Sequence, residues 1–232
     1  MDNRASDNHL TVSDLLTHPT KGQTDLILVR HGQTAGNVRN LFIGQTDMPL
    51  DDLGERQAYE VGQRFRDISL DDLLTSPLQR ARRTAEAIGN VTGLSPVVVP
   101  GLSEIHFGEA EGLTYAQVLE QFPELKDDLS DLEKLDFGFP GGETRETFYE
   151  RVIATFLGIV ERYEGRTVAA VAHGGVIGMF YAQLDPGPRN DMAKYAVANC
   201  SIGHLKIAPD HTRVELWNDT SHLTEVIEIP SR

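Results

Sequence analysis

Hydrophobic and polar residues alternate along this chain in a pattern that predicts strands and helices in turn. Short apolar runs bounded by polar or turn-forming residues predict strands at Asp25–Val29, Leu73–Ser76, Val97–Pro100, Thr167–Ala172, Gly203–Ala208 and Arg213–Trp217. Longer segments with helical spacing predict helices at Leu53–Asp67, Pro77–Thr92, Thr114–Phe122, Thr144–Tyr163 and Gly175–Leu184. Because the two kinds of element alternate, we predict an α/β fold whose mostly parallel central sheet is covered by helices on both faces.

The helix predicted at Pro77–Thr92 carries signals at both of its ends. Ser76 is a candidate N-cap, and Pro77 suits the first helical position. Gly93 stands where a glycine commonly ends a helix. The apolar stripe expected to face the core consists of Leu78, Ala81, Ala85 and Ile88.

The length of 232 residues, with 40% hydrophobic, fits one domain, which we assign to residues 25–232. Residues 1–24 contain acidic residues and lack a long apolar core, so we expect a flexible extension with one helical turn around Thr11–Thr17 and no signal peptide. The longest uncharged run, Thr167–Leu184, contains a histidine and three glycines. We interpret it as a buried strand followed by a buried helix, and not as a membrane span.

Net charge and cysteine content narrow the classes of partner. A formal charge of −14 and a pI near 4.9 argue against nucleic-acid or membrane partners. An anionic substrate would therefore need a local positive pocket. Cys200 is the single cysteine, which excludes an intrachain disulfide and favours a reducing, cytoplasmic location. The sequence leaves open whether the chain forms a homo-oligomer.

Side chains that could carry out a reaction lie at or just after the ends of the first four predicted strands. Arg30 and His31 follow the first strand, and His173 ends the strand before the Gly-rich helix start. Arg80 lies in the first turn of the helix after the second strand, and Glu104 lies in the loop after the third. Ligands of such sheets bind beyond the carboxyl ends of the strands. We therefore expect these five side chains to converge on one crevice.

This set suits phosphoryl transfer. Guanidinium groups match phosphate oxygens, a neutral imidazole can act as a nucleophile, and a carboxyl group can protonate the leaving oxygen. From the residues alone, Glu109 and Glu111 in the same loop are alternatives to Glu104 as the acid. Arg82 and Arg83 have the usual pattern of a solvated basic helix face.

Motifs for metals and nucleotides are missing from the sequence. His204, His211 and His222 lack metal-ligand spacing, and no HExxH, CxxC, GxGxxG or P-loop motif occurs. We therefore expect no metal and no cofactor.

Six segments in order resemble the histidine phosphatase superfamily, in its phosphoglycerate-mutase-like branch. They are "LILVRHGQTAGN", "SPLQRARRTAEAI", "LSEIHFGEAEGLT", "FPGGETRETFYERV", "VAHGGVIG" and "NCSI", and the resemblance extends from about residue 25 to the C-terminus. It implies a phosphoglycerate-mutase-like α/β fold and a phosphohistidine intermediate formed without metal.

Carried over by position, the resemblance implies a role for each matching residue. His31 would be the nucleophile and Glu104 the proton donor. The residues that would hold the phosphoryl oxygens are Arg30, Arg80, His173 and Asn37.

Within that family, the segment Glu120–Glu143 favours a phosphatase over a mutase. A mutase needs extra cations for a second phosphate, whereas this segment is acidic and its basic residues are only Lys126 and Lys134. We therefore predict a metal-independent phosphatase that hydrolyses a small phosphorylated metabolite. The alternatives are a cofactor-dependent phosphoglycerate mutase and a catalytically inactive phospholigand-binding protein.

The loop Asn40–Leu50 is expected to shape the substrate pocket. Its candidate lining residues are Ile43, Gly44 and Gln45. His106, in the loop after the third strand, is either a further lining residue or a loop-packing residue.

Overall fold

The computed structural model describes residues 22–131, 134–184, 194–208 and 211–224 of the chain. Its described strands form one sheet in the order β3-β2-β4-β1-β5-β6. Their bounds are β1 Thr24–Arg30, β2 Asp72–Thr75, β3 Val97–Val98, β4 Thr167–Ala172, β5 Ile202–Ile207 and β6 Thr212–Asp219. The pairs β3–β2, β2–β4 and β4–β1 are parallel, whereas β1–β5 and β5–β6 are antiparallel. The predicted mostly parallel sheet is confirmed.

Helices lie against both faces of this sheet. Their bounds are α1 Ala35–Val38, α2 Asp52–Arg64, α3 Gln79–Thr92, α4 Tyr115–Gln121, α5 Lys126–Ser130, α6 Arg145–Arg162 and α7 Gly174–Ala182. Short 3₁₀ turns cover Pro100–Leu102, Gly108–Ala110 and Pro123–Leu125. The predicted covering of both faces is therefore confirmed as well.

Strand β1 shows why the two faces have separate cores. Successive side chains of a strand point to opposite faces. Leu26 and Leu28 belong to the apolar cluster that α6 and α7 complete, whereas Ile27 and Val29 belong to the cluster completed by α2 and α3. All four side chains are buried. The uninterrupted apolar run of this strand thus follows from burial on both sides.

The start of α3 differs from its prediction. The helix begins at Gln79, with Leu78 as an N-cap that makes no side-chain hydrogen bond, so the assignments of Ser76 as N-cap and Pro77 as first helical residue were wrong. The Asp47 carboxylate from a distant loop accepts the Gln79 N–H at 2.7 Å instead. The predicted end is confirmed, since Gly93 has a φ of 78° in the left-handed region.

Other element bounds shift by small amounts. Strand β3 stops at Val98 because Pro100 opens a 3₁₀ turn, and α7 ends at Ala182 and not at Leu184. The short helices α1 and α5 were not predicted. Thr24, assigned to the N-terminal extension, is the buried first residue of β1. The helical turn expected around Thr11–Thr17 lies outside the described residues.

A third apolar cluster lies next to the sheet domain. Its buried members are Ala110, Val118, Phe122, Phe137 and Phe139. It joins α4 to the segment before α6, so the acidic stretch has a small core of its own. Among the described helices, none has the length and apolarity needed to cross a bilayer.

Candidate active site

Two histidines meet where the parallel neighbours β1 and β4 end. Arg30 pairs with Ala172 at the last register position of these strands, so His31 and His173 leave the sheet side by side. Their ring centroids are 5.0 Å apart with an interplanar angle of 57°. Both side chains are buried, with exposed fractions of 3% and 0%. The strand register therefore brings the two imidazoles together.

The hydrogen bonds of His31 favour one tautomer. Its Nδ1 lies 2.7 Å from the Gly32 carbonyl oxygen, which can only accept, so Nδ1 carries the proton. The lone pair is then on Nε2, where the Arg80 Nε–H donates to it at 3.3 Å. Burial, reinforced by the charges of Arg80 and Arg30, lowers the pKa of His31 well below its ordinary value. His31 is thus a neutral imidazole with its lone pair beside a guanidinium.

His173 is held by the side chain that was expected to cap a helix. Its Nε2 lies 2.7 Å from Ser76 Oγ, and the same oxygen accepts the Leu78 N–H at 3.3 Å. Its Nδ1 is buried and has no partner among the described residues. Burial and then the charge of Arg80 lower the pKa of His173 well below its ordinary value. This imidazole is also neutral.

Arg30 presents an unpaired donor beside the histidines. Its Nη1 donates to the Val197 carbonyl at 2.6 Å, while its Nε is buried without a partner in the described structure. Burial lowers the pKa of Arg30 to about 10. The charge of Glu104 raises this pKa and the charge of Arg80 lowers it. The guanidinium therefore stays charged at neutral pH.

Arg80 is oriented by the loop that was predicted to shape the pocket. Its Nη1 donates to the Thr46 carbonyl at 2.9 Å, and its Nη2 donates to the Gly44 carbonyl at 2.7 Å. The side chain is 1% exposed. Gly44 has a φ of 50° and lies so close to Glu111 that a Cβ would overlap its carboxylate. Only glycine suits that position, so the backbone of this loop sets the direction of the guanidinium.

Glu104 lies at the start of α7, next to His173. Its Oε2 accepts the Gly175 N–H at 2.9 Å, and its Oε1 accepts the Ile105 N–H at 3.1 Å. A Cβ at Gly175 would overlap Oε1 of this carboxyl group. The carboxyl group is therefore held by one backbone donor on each oxygen, in a space that a larger residue at 175 would take.

The other two carboxyl groups of this loop are placed differently. Glu111 accepts the backbone N–H groups of Gln45 and Thr46 at 2.8 and 2.7 Å and the Thr46 hydroxyl, so it serves as an anchor for the pocket loop. Glu109 is exposed. Only Glu104 of the three contacts the helix that follows His173.

The structure gives Asn37 a capping role beside the site. Its Oδ1 accepts the Thr34 N–H at 3.0 Å and an Asn199 Nδ2–H at 3.3 Å. Asn199 Nδ2 also donates to the His31 carbonyl at 2.9 Å. These contacts engage the Oδ1 of Asn37 and tie it to the backbone of the His31 segment through Asn199.

The remaining predicted lining residues differ in their contacts and in their exposure. The Gln45 side chain donates to the Glu104 carbonyl at 3.2 Å, which brings it to the site. The Ile43 side chain is buried and packs against Gly36, so it supports the loop from beneath. His106 has a 42% exposed side chain, and its Nε2 lies 4.0 Å from a Glu111 oxygen.

Arg82 and Arg83 lie outside the cluster, as the sequence indicated. Arg82 is exposed, and Arg83 pairs with Glu55 at 2.9 Å on the surface. In the part of the chain that the structure describes, no group of three or more His, Cys, Asp or Glu side chains could hold a metal ion.

Sequence reasoning missed several contributors. Ser76 and Asn199 contact the histidines, and Arg151 and Glu143 hold the Glu104 loop. The segments "NCSI" and "FPGGETRETFYERV" were recognised as family segments, but nothing in them indicates which atoms their side chains contact.

Comparison with known proteins agrees with this arrangement. A Bacillus subtilis (strain 168) protein named "Uncharacterized phosphatase PhoE" is 31% identical over 205 residues, covering 88% of this chain and 100% of that protein. An Arabidopsis thaliana protein named "Phosphoglycerate mutase-like protein 4" is 30% identical over 205 residues, covering 87% of each chain. The solved structure of a mycobacterial glucosyl-3-phosphoglycerate phosphatase superposes with a TM-score of 0.73 at 29% identity, covering 85% of this chain and 100% of that one.

The family assignment covers most of the domain. Residues 26–220 match the sequence profile of the histidine phosphatase superfamily, branch 1. With this match and the paired histidines and arginines at the strand ends, the chain belongs to the histidine phosphatase superfamily.

Proposed function

We propose that this protein is a phosphatase that hydrolyses small phosphomonoesters through a phosphohistidine on His31, with Glu104 as proton donor and without a metal. The observation that carries the proposal is the state of His31. It is neutral, its Nε2 bears the lone pair, and Arg80 lies 3.3 Å from that nitrogen. A neutral imidazole next to fixed positive charge is suited to attack phosphorus.

Unpaired donors around His31 support a phosphoryl-binding role. Arg30 Nε and His173 Nδ1 are both buried without partners in the described structure. Ser76 Oγ accepts the Leu78 N–H and lies 2.7 Å from His173 Nε2. We propose that the Ser76 hydroxyl donates to Nε2, an arrangement in which the ring proton of His173 lies on Nδ1. Buried donors without partners are costly, and the oxygens of a bound phosphoryl group would satisfy them.

The reaction proceeds in two steps, transfer of the phosphoryl group to His31 and its hydrolysis by water. His31 Nε2 attacks phosphorus, the P–O ester bond breaks, and the departing oxygen takes a proton from the Glu104 carboxyl group. Water then gives a proton to the Glu104 carboxylate and attacks the phosphohistidine, which releases inorganic phosphate and restores the neutral imidazole. Arg30 and Arg80 supply the positive charge that stabilises the transferring group in both steps.

The acidic segment supports a phosphatase over a mutase. Lys134 of this segment pairs with Asp128 at 2.7 Å. Arg145, the next arginine along the chain, donates to the carbonyls of Asp128, Leu129, Asp131 and Lys134. Lys134 and Arg145 thus already have partners within the segment, which leaves the exposed Lys126 as its other lysine. The similar proteins carry both phosphatase and mutase names, and the mutase is therefore the second candidate.

The substrate we propose is a small metabolite, because the donors at the site recognise only the phosphoryl end. The similar mycobacterial structure is titled as a glucosyl-3-phosphoglycerate phosphatase, which makes sugar-linked phosphates the first compounds to test. We propose a cytoplasmic enzyme without nucleic-acid or membrane partners, in keeping with its charge of −14.

Trapping the intermediate tests the mechanism. We expect a brief incubation with phosphate-labelled substrate and an alkaline quench to leave label on His31, and His31→Ala to remain folded and unlabelled. Label mapped to His173 would overturn the assignment of the nucleophile. Dialysis against EDTA should leave turnover unchanged, because Arg30 and Arg80 provide the charge that a metal would supply.

A mutase assay separates the two candidates. With 3-phosphoglycerate and catalytic 2,3-bisphosphoglycerate, we expect release of phosphate at most. Rapid formation of 2-phosphoglycerate at low protein concentration would establish the mutase instead.

A further inference from the structure

The loop that carries Glu104 has no regular secondary structure to hold it. It lies between the 3₁₀ turns Pro100–Leu102 and Gly108–Ala110. The orientation of its carboxyl group depends on the path of the backbone at 103–106. A general acid must lie within hydrogen-bond reach of the departing oxygen, so that path has chemical consequences.

Arg151 binds this backbone from one side. From the middle of α6, its Nη1 donates to the carbonyls of Gly101 and Ser103 at 2.9 and 2.8 Å. Its Nη2 donates to the Glu104 carbonyl at 3.3 Å. One guanidinium therefore contacts three carbonyls, including that of Glu104 itself.

Glu143 completes the arrangement on the far side of Glu104. Its two carboxylate oxygens accept from Arg151 Nε at 2.8 Å and Nη2 at 2.7 Å. Its Oε2 also accepts the His106 N–H at 2.8 Å, and its own N–H donates to the His106 carbonyl at 2.8 Å. Burial would raise the pKa of Glu143, but hydrogen bonds from Arg151 and His106 outweigh it and lower that pKa. The backbone is thus bound on both sides of Glu104.

We propose that the Glu143–Arg151 pair is a positioning device that sets the Glu104 carboxyl group for proton transfer to the leaving oxygen. The pair is about three-quarters buried, with side-chain exposures of 22% and 24%. A two-bond pair of planar groups restricts orientation more than a single point charge does. This proposal rests on the proposed function of Glu104 as the acid.

The same helix offers a matched control. Arg145, also on α6, donates to the Asp128 and Leu129 carbonyls at 3.3 and 2.8 Å and lies over the Phe137 ring. It thus binds backbone carbonyls of another segment through the same chemistry. If weakening any α6 arginine lowers activity in general, variants of Arg145 and Arg151 should both lose activity. If the loss comes from a misplaced acid, only variants of Arg151 should show it.

The test compares two leaving groups. Protonation matters for an alkyl phosphate, whose alkoxide is strongly basic, and matters little for p-nitrophenyl phosphate. We would measure kcat/KM on both for wild type, Arg151→Lys, Glu143→Gln, Arg145→Lys and Glu104→Gln, with thermal unfolding of each. Because a misplacement of about 1 Å can cost about 100-fold, we expect Arg151→Lys and Glu143→Gln to lose roughly 10- to 100-fold on the alkyl ester and about threefold or less on the nitrophenyl ester.

The outcomes separate the positioning role from the acid role. Arg145→Lys should change both substrates by the same factor. In the Glu104→Gln background, Arg151→Lys should cause no additional alkyl-specific loss. Equal losses on both substrates in Arg151→Lys and Glu143→Gln, beside an alkyl-specific loss in Glu104→Gln, would overturn the positioning proposal alone. Equal losses in Glu104→Gln itself would overturn the acid role in the proposed function.

Discussion

The two halves of the candidate site are built by different means. His31, His173 and Arg30 follow directly from the register of β1 with β4, and both histidines are almost fully buried. Glu104 and Gln45 stand on loops instead, and side chains of other segments hold those loops in place. We refer to these as the sheet-built half and the loop-built half.

In the proposed mechanism, the sheet-built half binds the phosphoryl group and the loop-built half acts on the leaving group. The sheet-built half cannot shift without repacking the core, so it suits the part of the reaction that every phosphomonoester shares. The loop-built half can change its shape while the sheet stays intact, which suits discrimination between substrates. Changes in the two halves should therefore have different signatures in stability and in substrate dependence.

The largest expected effect is on the sheet-built half and concerns stability. Burial lowers the pKa of His31 and of His173, so below their ordinary value of 6.5 the unfolded chain binds protons that the folded chain does not. The free energy of unfolding should therefore fall as the pH drops below that value, by about 1.4 kcal/mol per pH unit for each histidine, until the folded-state pKa is reached. Urea unfolding at pH 7 and at pH 5 measures the loss.

The control for this prediction removes one of the titrating groups. His31→Asn should reduce the pH slope by about one proton. Substitutions in the loop-built half should leave the slope unchanged. A slope in His31→Asn equal to that of wild type would contradict the assignment of acid sensitivity to the buried imidazole.

The next largest effect comes from a substitution that displaces the Glu104 carboxyl group of the loop-built half and leaves the sheet unchanged. In Gly175→Ala the new methyl group would overlap Glu104 Oε1, so the flexible carboxyl group must move while the backbone stays in place. We expect a loss of about 100-fold in kcat/KM on alkyl phosphates, a far smaller loss on p-nitrophenyl phosphate, and little change in thermal stability.

A second helical glycine supplies the matched control. A Cβ at Gly158 on α6 meets no atom within 4 Å. Gly158→Ala should therefore leave both activities unchanged and stabilise the helix by about 0.5–1 kcal/mol. If Gly175→Ala kept full activity on alkyl phosphates, Glu104 could not be acting from the observed position.

The smallest expected effect lies at the contact between the two halves. In Glu111→Gln, one carboxylate oxygen that accepts hydrogen bonds from the loop Asn40–Leu50 becomes an amide donor. This change loosens the loop, whose Gly44 and Thr46 carbonyls orient Arg80. We expect KM to rise by about three- to tenfold for both leaving groups, as for the loss of a charge-assisted hydrogen bond. Steady-state kinetics on the two substrates measures this change.

The exposed neighbour Glu109 gives the comparison for that variant. Glu109→Gln changes the same charge but leaves the pocket loop bound, so its KM should equal that of wild type. A loss confined to alkyl phosphates in Glu111→Gln would mean that Glu111 takes part in proton transfer.

Much of the fold and of the sheet-built half could be predicted from the sequence. The apolar run before Arg30 and the run before His173 each specify a doubly buried strand and place those residues at its end. Parallel pairing then brings the strand ends to one edge. The predictions that failed, such as Ser76 as an N-cap, rest on a local preference that a distant partner overrides, since Ser76 binds His173 and Asp47 reaches Gln79.

The sequence by itself determined the alternation of elements, the edge of the sheet where the candidate site lies and the residue types found there. Each of these follows from a periodicity or a motif within one segment. Only the tertiary structure decided how the three carboxyl groups of one loop divide their roles. Glu111 binds Gln45 across 66 positions, Arg151 binds Gly101 across 50, and Gly175 binds Glu104 across 71. Contacts between residues so far apart leave no periodic signal in a single sequence, because they depend on the packing of separate segments around the sheet.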